Sequence, residues 1–365
     1  MSHHLPLIDL ELRHDKHALK AWIKAQAYEL GFQDCVVAKP DTQDQIPYLE
    51  HYLEQGFHAD MHYLADNLDK RANPALLVAD TRCIICVRLD YLHEKPAPRT
   101  IPHQPEIGII ARYARGRDYH KVMRGRLKQL AQRIEAKIGH FSSRPFSDSA
   151  PIFEKALAEQ AGMGWTGKHT LLINKQSGSF FVLGELFCSL DLPLDHATTA
   201  HCGSCSACID ICPTQAIVAP YSLDARKCIA YLTIEYKGSI DISLRSQIGN
   251  RIFGCDDCQL ICPWNRYAKL STIEDFKPRH QLDKSHLLDF WSWDEATFLS
   301  KTEGSPIRRT GFQSFKRNVA IALGNAPFTK EIIPALLEHY PAHNELVLEH
   351  RQWAVAEQEK KALYE

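Results

Sequence analysis

His201-Cys-Gly-Ser-Cys-Ser-Ala-Cys-Ile-Asp-Ile-Cys-Pro213 is the stretch whose reading decides this chain. Its cysteines, Cys202, Cys205, Cys208 and Cys212, follow the x2, x2, x3 spacing ending in proline that holds [4Fe-4S] clusters in bacterial ferredoxins. Three closely spaced thiolates in a tight turn wrap three irons of one cube, and the segment ending in proline carries the fourth sulfur to a neighbouring cube. A second run, Cys255-Asp-Asp-Cys258-Gln-Leu-Ile-Cys262-Pro263, repeats the latter part of the pattern with Ile252 where a first cysteine would stand, and Cys228 is the replacement. By the exchange seen in two-cluster ferredoxins, Cys202, Cys205, Cys208 and Cys262 belong to one cluster, and Cys212, Cys228, Cys255 and Cys258 to the other. The competing reading of the same eight thiols is a pair of structural zinc sites.

Upstream of residue 190 the pattern is different. Leu19, Trp22, Ile23, Ala27 and Leu30 recur at helical spacing before Gly31, and short apolar runs follow at Cys35–Ala38, Cys83–Leu89, Ile107–Tyr113, Pro145–Asp148, Thr170–Asn174 and Ser179–Phe187. Helices are expected at 47–68, broken near Gly56, at 119–138 and at 152–161. A Pro- and His-rich loop is expected over 93–105. Helices alternating with short strands predict an α/β or α+β sandwich.

Beyond residue 285 the spacing is helical again, through Phe315, Val319 and Leu323, Ile332 and Leu336, and Trp353 and Ala356, with turns expected at Gly324–Pro327 and Tyr340-Pro341. That arrangement suits a short α-solenoid. The predicted architecture is therefore α+β, with an α/β domain over 1–190, a ferredoxin-like two-cluster module over 191–284 and a helical tail with HEAT-like repeats over 285–365.

Composition narrows the class. The 365 residues suggest two or three domains at roughly 150 residues each. Apolar residues make up 45% and charged residues 24%, the balance of a folded soluble protein. No apolar run approaches the roughly 20 residues of a spanning helix. The polar start, Met1 to His17, reads as uncleaved, which predicts a cytoplasmic protein with no membrane partner. Twelve cysteines in that setting point to ligation rather than disulfides. Cys83 and Cys86, on opposite faces of one strand, read as core residues, as do Cys35 and Cys188.

Net charge is −1, so any nucleic-acid contact must be local. Between Arg112 and Lys137 nine Lys or Arg face two acids, and Arg308, Arg309, Lys316 and Arg317 lie in an acid-free stretch. Each is either a solvated face or a phosphate-binding patch.

Two clusters imply a one-electron relay, and the remaining residues must hold the acceptor. Phe146-Ser-Asp-Ser-Ala-Pro-Ile-Phe-Glu-Lys, Leu157 to Thr170 with Leu171-Leu-Ile-Asn, Tyr231-Leu-Thr-Ile-Glu and Asn250 to Arg266 carry a resemblance. With Gly116-Arg-Asp-Tyr-His-Lys and Arg317-Asn-Val-Ala-Ile-Ala-Leu-Gly-Asn, these segments resemble the epoxyqueuosine reductases across the whole chain. The resemblance implies a cobalamin-dependent, two-cluster oxidoreductase that removes the epoxide oxygen of epoxyqueuosine at the tRNA wobble position. It also implies the anticodon stem-loop and an external low-potential electron donor as partners, in a monomer. A corrinoid reductive dehalogenase, or a ferredoxin fused to a binding scaffold, are the competing readings.

By matching positions, the resemblance makes Asp148 the proton donor and puts Arg71, Asp148, Leu172, Ser222, Cys255 and Asp256 beside cobalamin. An acid at neutral pH needs a raised pKa, which burial would supply. Without the resemblance, Asp148 or Ser149 ahead of Pro151 reads as a helix cap. Asp118-Tyr-His120 lacks the glycine of one common corrinoid signature, so His120 is expected to be structural or to face substrate. Gly162-Met-Gly-Trp-Thr-Gly167 reads either as a lining of the corrin site or as a turn.

Overall fold

The computed structural model describes residues 8–97, 99–101, 103–338 and 344–364. Four strands, β1 (Asp34–Ala38), β2 (Cys83–Asp90), β3 (Ser143–Phe146) and β4 (Phe181–Cys188), form one sheet in the order β1-β2-β4-β3. Every pairing in it is antiparallel. This corrects the α/β expectation for residues 1–190: the sheet has none of the parallel neighbours a βαβ unit requires, and the region is α+β.

Strand alternation sorts the apolar side chains onto two faces. Cys35, Val37, Cys83, Ile85, Val87, Leu186 and Cys188 pack against α1 (Lys16–Glu29) and α2 (Tyr119–Ile138). Val36, Ala38, Ile84, Cys86, Phe146 and Phe187 meet Leu157 and Ala158 of α3 (Glu154–Gln160). Cys83 and Cys86 thus enter opposite cores, and the four cysteines outside the two quartets, Cys35, Cys83, Cys86 and Cys188, are buried. Asp15 caps α1 by accepting the N–H groups of His17 and Ala18.

The helix expected over 119–138 and the strands expected at Cys35–Ala38 and Cys83–Leu89 are present at full length, and other elements are shorter than expected. The helix expected over 47–68 runs only from Ile46 to Glu54, because Gly56 turns left-handed at φ +63 and ends it. The strand expected over 107–113 shrinks to Ile109–Ile110 and pairs in parallel with Arg251–Phe253, outside the main sheet. The loop expected over 93–105 includes Pro98 and Pro102, which lie outside the described residues.

Two short matched helices, α4 (Ala207–Asp210) and α5 (Asp257–Leu260), each end one turn before a Cys-Pro pair. Downstream, α6 (Phe312–Asn325), α7 (Ile332–Glu338) and α8 (Glu345–Ala362) share a core with Phe290, Trp291 and Phe298. Ile110, Ile252 and Phe253 join that core and weld the tail to the middle of the chain. The expected turn at Tyr340-Pro341 lies outside the described residues. No helix among the described residues is long and apolar enough to cross a membrane.

Lys316 and Arg317 correct the second basic patch, because both are fully buried. Arg317 donates to the carbonyls of Leu232 (2.6 Å), Tyr236 (2.9 Å) and Gly238 (2.7 Å), and Lys316 Nζ donates to the Trp291 carbonyl. These cations satisfy chain turns instead of phosphates. Arg317→Ala strips three buried carbonyls of their donor, and the expected destabilisation is about 3 to 5 kcal/mol. Denaturant midpoints compared with the parent protein measure it; a change within experimental scatter would show that the turn at 232–238 is satisfied otherwise.

Candidate active site

The eight thiols surround two separate cavities. Cys202, Cys205, Cys208 and Cys262 line one of about 230 Å³, together with His201, Trp264 and Arg266. Cys212, Cys228, Cys255 and Cys258 line a second of about 430 Å³. Cys262 of the second run therefore stands with the first three cysteines of the first run, and Cys212 stands with the second run. Among the described residues no three Cys, His, Asp or Glu side chains converge closely enough to hold a single ion, so each quartet frames a volume. The smaller cavity lies toward solvent: Cys205 is exposed, and the rings of Trp165, His201 and Trp264 meet edge-on or tilted at its wall. Lys168 Nζ ties the 168–170 turn to this region by donating to the carbonyls of Gly203 (2.7 Å) and Cys205 (2.9 Å).

Besides this inner quartet, the larger cavity is lined by Asp148, Tyr119 and Glu154, with Leu171, Leu172, Phe181, Val182 and Leu183 adding apolar surface. Asp148 sits on the loop from β3 to α3 in a left-handed conformation, φ +58, rare for a residue with a side chain. Its Oδ2 accepts from Tyr119 Oη at 2.6 Å and from His120 Nε2 at 3.1 Å. His120 Nδ1 in turn donates to Asp118 Oδ1 at 2.7 Å. Arg309 donates to Asp118 Oδ2 at 2.9 Å, and its guanidinium lies 3.1 to 3.2 Å from the His120 ring nitrogens.

This network reverses one expectation. The hydrogen bond from His120 holds the Asp148 carboxyl below the usual carboxylate range, against the opposing effect of burial, and Tyr119 adds to the lowering. His120 is itself raised above the ordinary imidazole value: burial opposes its charge, but the hydrogen bonds to Asp118 and Asp148 outweigh it. Within the His120–Asp148 pair both directions favour the proton on the ring. Neither Asp148 nor Ser149 caps α3, whose N-cap is Phe153 with no side-chain bond. The contact runs the other way, with the Asp148 N–H donating to Glu154 Oε1.

Comparison with known proteins follows the same segments. Residues 71–149 match the family described as Epoxyqueuosine reductase QueG, DUF1730, and residues 201–265 match the 4Fe-4S double cluster binding domain. The epoxyqueuosine reductase of Pseudomonas aeruginosa is 50% identical over 351 residues, covering 96% of this chain and 97% of the relative. This chain belongs to the epoxyqueuosine reductase family.

Solved structures agree. An epoxyqueuosine reductase crystallised with an epoxyqueuosine-modified tRNA-Tyr stem loop matches at TM-score 0.86 and 26% identity, covering 94% of this chain and 91% of that one. The Bacillus subtilis epoxyqueuosine reductase, with its catalytic aspartate loop swung out of the active site, matches at TM-score 0.85 and 26% identity with the same coverage.

Of the residues that the family resemblance puts beside cobalamin, Asp148, Leu172, Cys255 and Asp256 line the larger cavity, and Arg71 and Ser222 do not. Arg71 is buried and donates to the carbonyls of Tyr63 (3.1 Å) and Asp66 (3.3 Å). Ser222 pairs in a two-residue ribbon whose next residue, Leu223, reaches the wall. Asp256 accepts the Arg112 N–H at 2.9 Å and its guanidinium at 3.1 Å, which holds a cation beside the inner quartet.

The 162–167 segment does not line the cavity. A Cβ on Gly162 would lie 2.2 Å from the His196 carbonyl oxygen and one on Gly164 2.2 Å from that of Ile173, so these glycines serve backbone packing. In the first basic patch Arg117, Lys121, Arg124 and Lys128 stay exposed, while Arg112 and Arg115 turn inward. Tyr119 and Glu154 are site residues the sequence reading did not single out, and Arg309 entered it only as part of a basic patch. Tyr119 lies inside the quoted Gly116-to-Lys121 segment, but nothing in the spacing ties Arg309 to a residue 189 positions earlier.

Proposed function

We propose that this chain reduces epoxyqueuosine to queuosine at the wobble position of tRNA, with electrons relayed through two [4Fe-4S] clusters to cobalamin bound in the larger cavity. The observation that carries this reading is the cavity itself, lined both by four thiols and by a hydrogen-bonded proton donor set. Its apolar side and its opening to solvent suit a large planar cofactor. Leu172, Cys255 and Asp256 would hold cobalamin, and the two thiol quartets would hold the clusters. When bound, these groups supply single electrons and a low-valent metal, chemistry that side chains lack.

The chain's own residues manage the proton. Removing an epoxide oxygen to leave an alkene takes two electrons and two protons, and the oxygen leaves as water. The His120 ring passes a proton from Nε2 to Asp148 Oδ2, which faces the cavity, and Asp118 compensates the ring from the far side. Tyr119 fixes the carboxyl rotamer. The left-handed backbone at Asp148 suits a residue whose loop moves, as the swung-out aspartate loop of the Bacillus subtilis relative illustrates.

The anticodon stem-loop is the proposed nucleic-acid partner, supported by the relative solved with a stem loop and by the exposed cations of α2. An external low-potential donor would dock near Cys205. The three-part division at 190 and 284, and a HEAT-like character for α6 to α8, are part of the same proposal.

Nucleoside mass spectrometry of epoxyqueuosine-containing tRNA, incubated anaerobically with cluster-loaded protein, cobalamin and a strong reductant, tests the reading. Loss of one oxygen that depends on cobalamin is the expected result; no loss with both clusters intact would overturn it.

His120→Gln removes the ring on which the pair's proton is favoured. The expected loss in kcat is about 10²-fold. In the parent, kcat falls as pH rises through the raised His120 value, and that part of the alkaline limb is lost in the variant. A pH–rate profile for both proteins checks it; an unchanged limb would remove His120 from the relay.

A further inference from the structure

Glu185 lies in the middle of β4 with Cys86 of β2 and Phe146 of β3 as its cross-strand partners. Strand alternation puts it on the sheet face covered by α3. It is fully buried, and neither carboxyl oxygen meets a hydrogen-bond donor. An unpaired carboxylate in such a place costs several kcal/mol, so the group keeps its proton instead.

The side chain it meets is Glu154, the first residue of α3, whose carboxyl lines the larger cavity and accepts the Asp148 N–H. Other titratable groups facing the pair are Asp148 on the β3–α3 loop, His120 on α2 and Cys86 on β2. The nearby cation, Lys155, donates to the Thr170 carbonyl at 2.6 Å.

Epoxide reduction consumes two protons, and the His120–Asp148 pair carries one. We propose that Glu154 and Glu185 form a carboxyl pair that stores the second proton and delivers it to the cavity through Glu154. This inference rests on the epoxide-reducing function proposed above. In atoms and electrons, the two electrons of the proposed relay enter the substrate and end in the new carbon–carbon double bond, and the first proton reaches the epoxide oxygen from Asp148 as one carbon–oxygen bond breaks. As the second carbon–oxygen bond breaks, the oxygen takes the stored proton and leaves as water. Glu185 refills Glu154, and solvent restores the pair between turnovers. Glu185 is a positioning residue acting through Glu154. Burial pushes Glu185 well above the carboxylate range, with Glu154 adding to it, and burial together with Asp148 pushes Glu154 up to about 7.

The test uses cluster- and cobalamin-loaded protein and Glu185→Gln, which keeps shape and volume but holds no exchangeable acid proton. One readout is the infrared band of protonated carboxyls, taken as a parent-minus-variant difference at neutral pH. The other is the pH–rate profile of oxygen loss from tRNA. The expected result is a carboxyl band present only in the parent. With it, the variant's rate falls about tenfold at pH 8 and its alkaline limb shifts to lower pH. No difference band, or a difference band with an unchanged profile, overturns the proposal. Glu154→Gln, at the half-buried start of α3, gives the same two readouts where Glu185→Gln does not accumulate. Absence of oxygen loss in the fully loaded parent is a distinct outcome, and it overturns the function on which the proposal rests.

Discussion

Asp148→Asn is expected to lower the rate of oxygen removal about 10³-fold while leaving iron content and cobalamin binding at parent levels. The substitution preserves size and still accepts from Tyr119, so the β3–α3 loop keeps its shape. What it removes is a group that can take a proton from His120 and release it. It also removes one of the two carboxylates that favour the charged ring, so the ring's raised pKa falls back toward its ordinary value. Both effects act on proton delivery and neither touches the thiols that line the same cavity. Single-turnover mass spectrometry after chemical reduction isolates the step, and cluster spectra recorded on the same sample control for loading. A variant within threefold of the parent rate would remove Asp148 from the chemistry. A variant lacking iron would show that the loop instead stabilises the cluster module.

How far the chain could be read in advance depends on where each determinant lies. The double cluster domain is legible because ligation dictates spacing along the chain itself: three thiols within seven residues of Cys202, then Cys-Pro, have few other uses. Continuous apolar runs placed β2 and β4 correctly because both are buried on two faces. The antiparallel order was not readable, since strand direction is fixed by partners far away in sequence. The ionisation of Asp148 was hidden for the same reason. Its position between a strand and a helix is local, but its charge is set by His120 and Tyr119 on α2, and Arg309 reaches the same network from the segment before α6. Composition misled most at Lys316 and Arg317. An acid-free run reads as a phosphate patch, yet both cations lie in the core, where Arg317 satisfies carbonyls of the bend at 232–238 and Lys316 that of Trp291.

The second large effect separates the two thiol quartets. Contiguity in sequence would group Cys262 with Cys255 and Cys258, whereas the cavities group it with Cys202, Cys205 and Cys208. Cys262→Ala is therefore expected to halve the iron content and remove the spectral signature of the solvent-side cluster, leaving the Asp148 cavity intact. Turnover with a protein electron donor should then fall more than about 10²-fold, because electrons entering near Cys205 lose their intermediate station. A small chemical reductant that reaches the inner cavity directly should restore much of a single turnover. Cys212→Ala should behave oppositely: the same halving of iron, but no oxygen loss with either reductant, because the thiols that share the Asp148 cavity no longer hold a cluster. Iron analysis and low-temperature electron paramagnetic resonance on both variants, paired with the two reductants, decide the matter. If Cys262→Ala abolished the chemically driven turnover and Cys212→Ala spared it, the assignment of the quartets would be inverted. The physical reason to expect otherwise is distance: Cys212 lines the cavity that holds Asp148, and Cys262 lines the one on the far side of His169, the histidine that borders both.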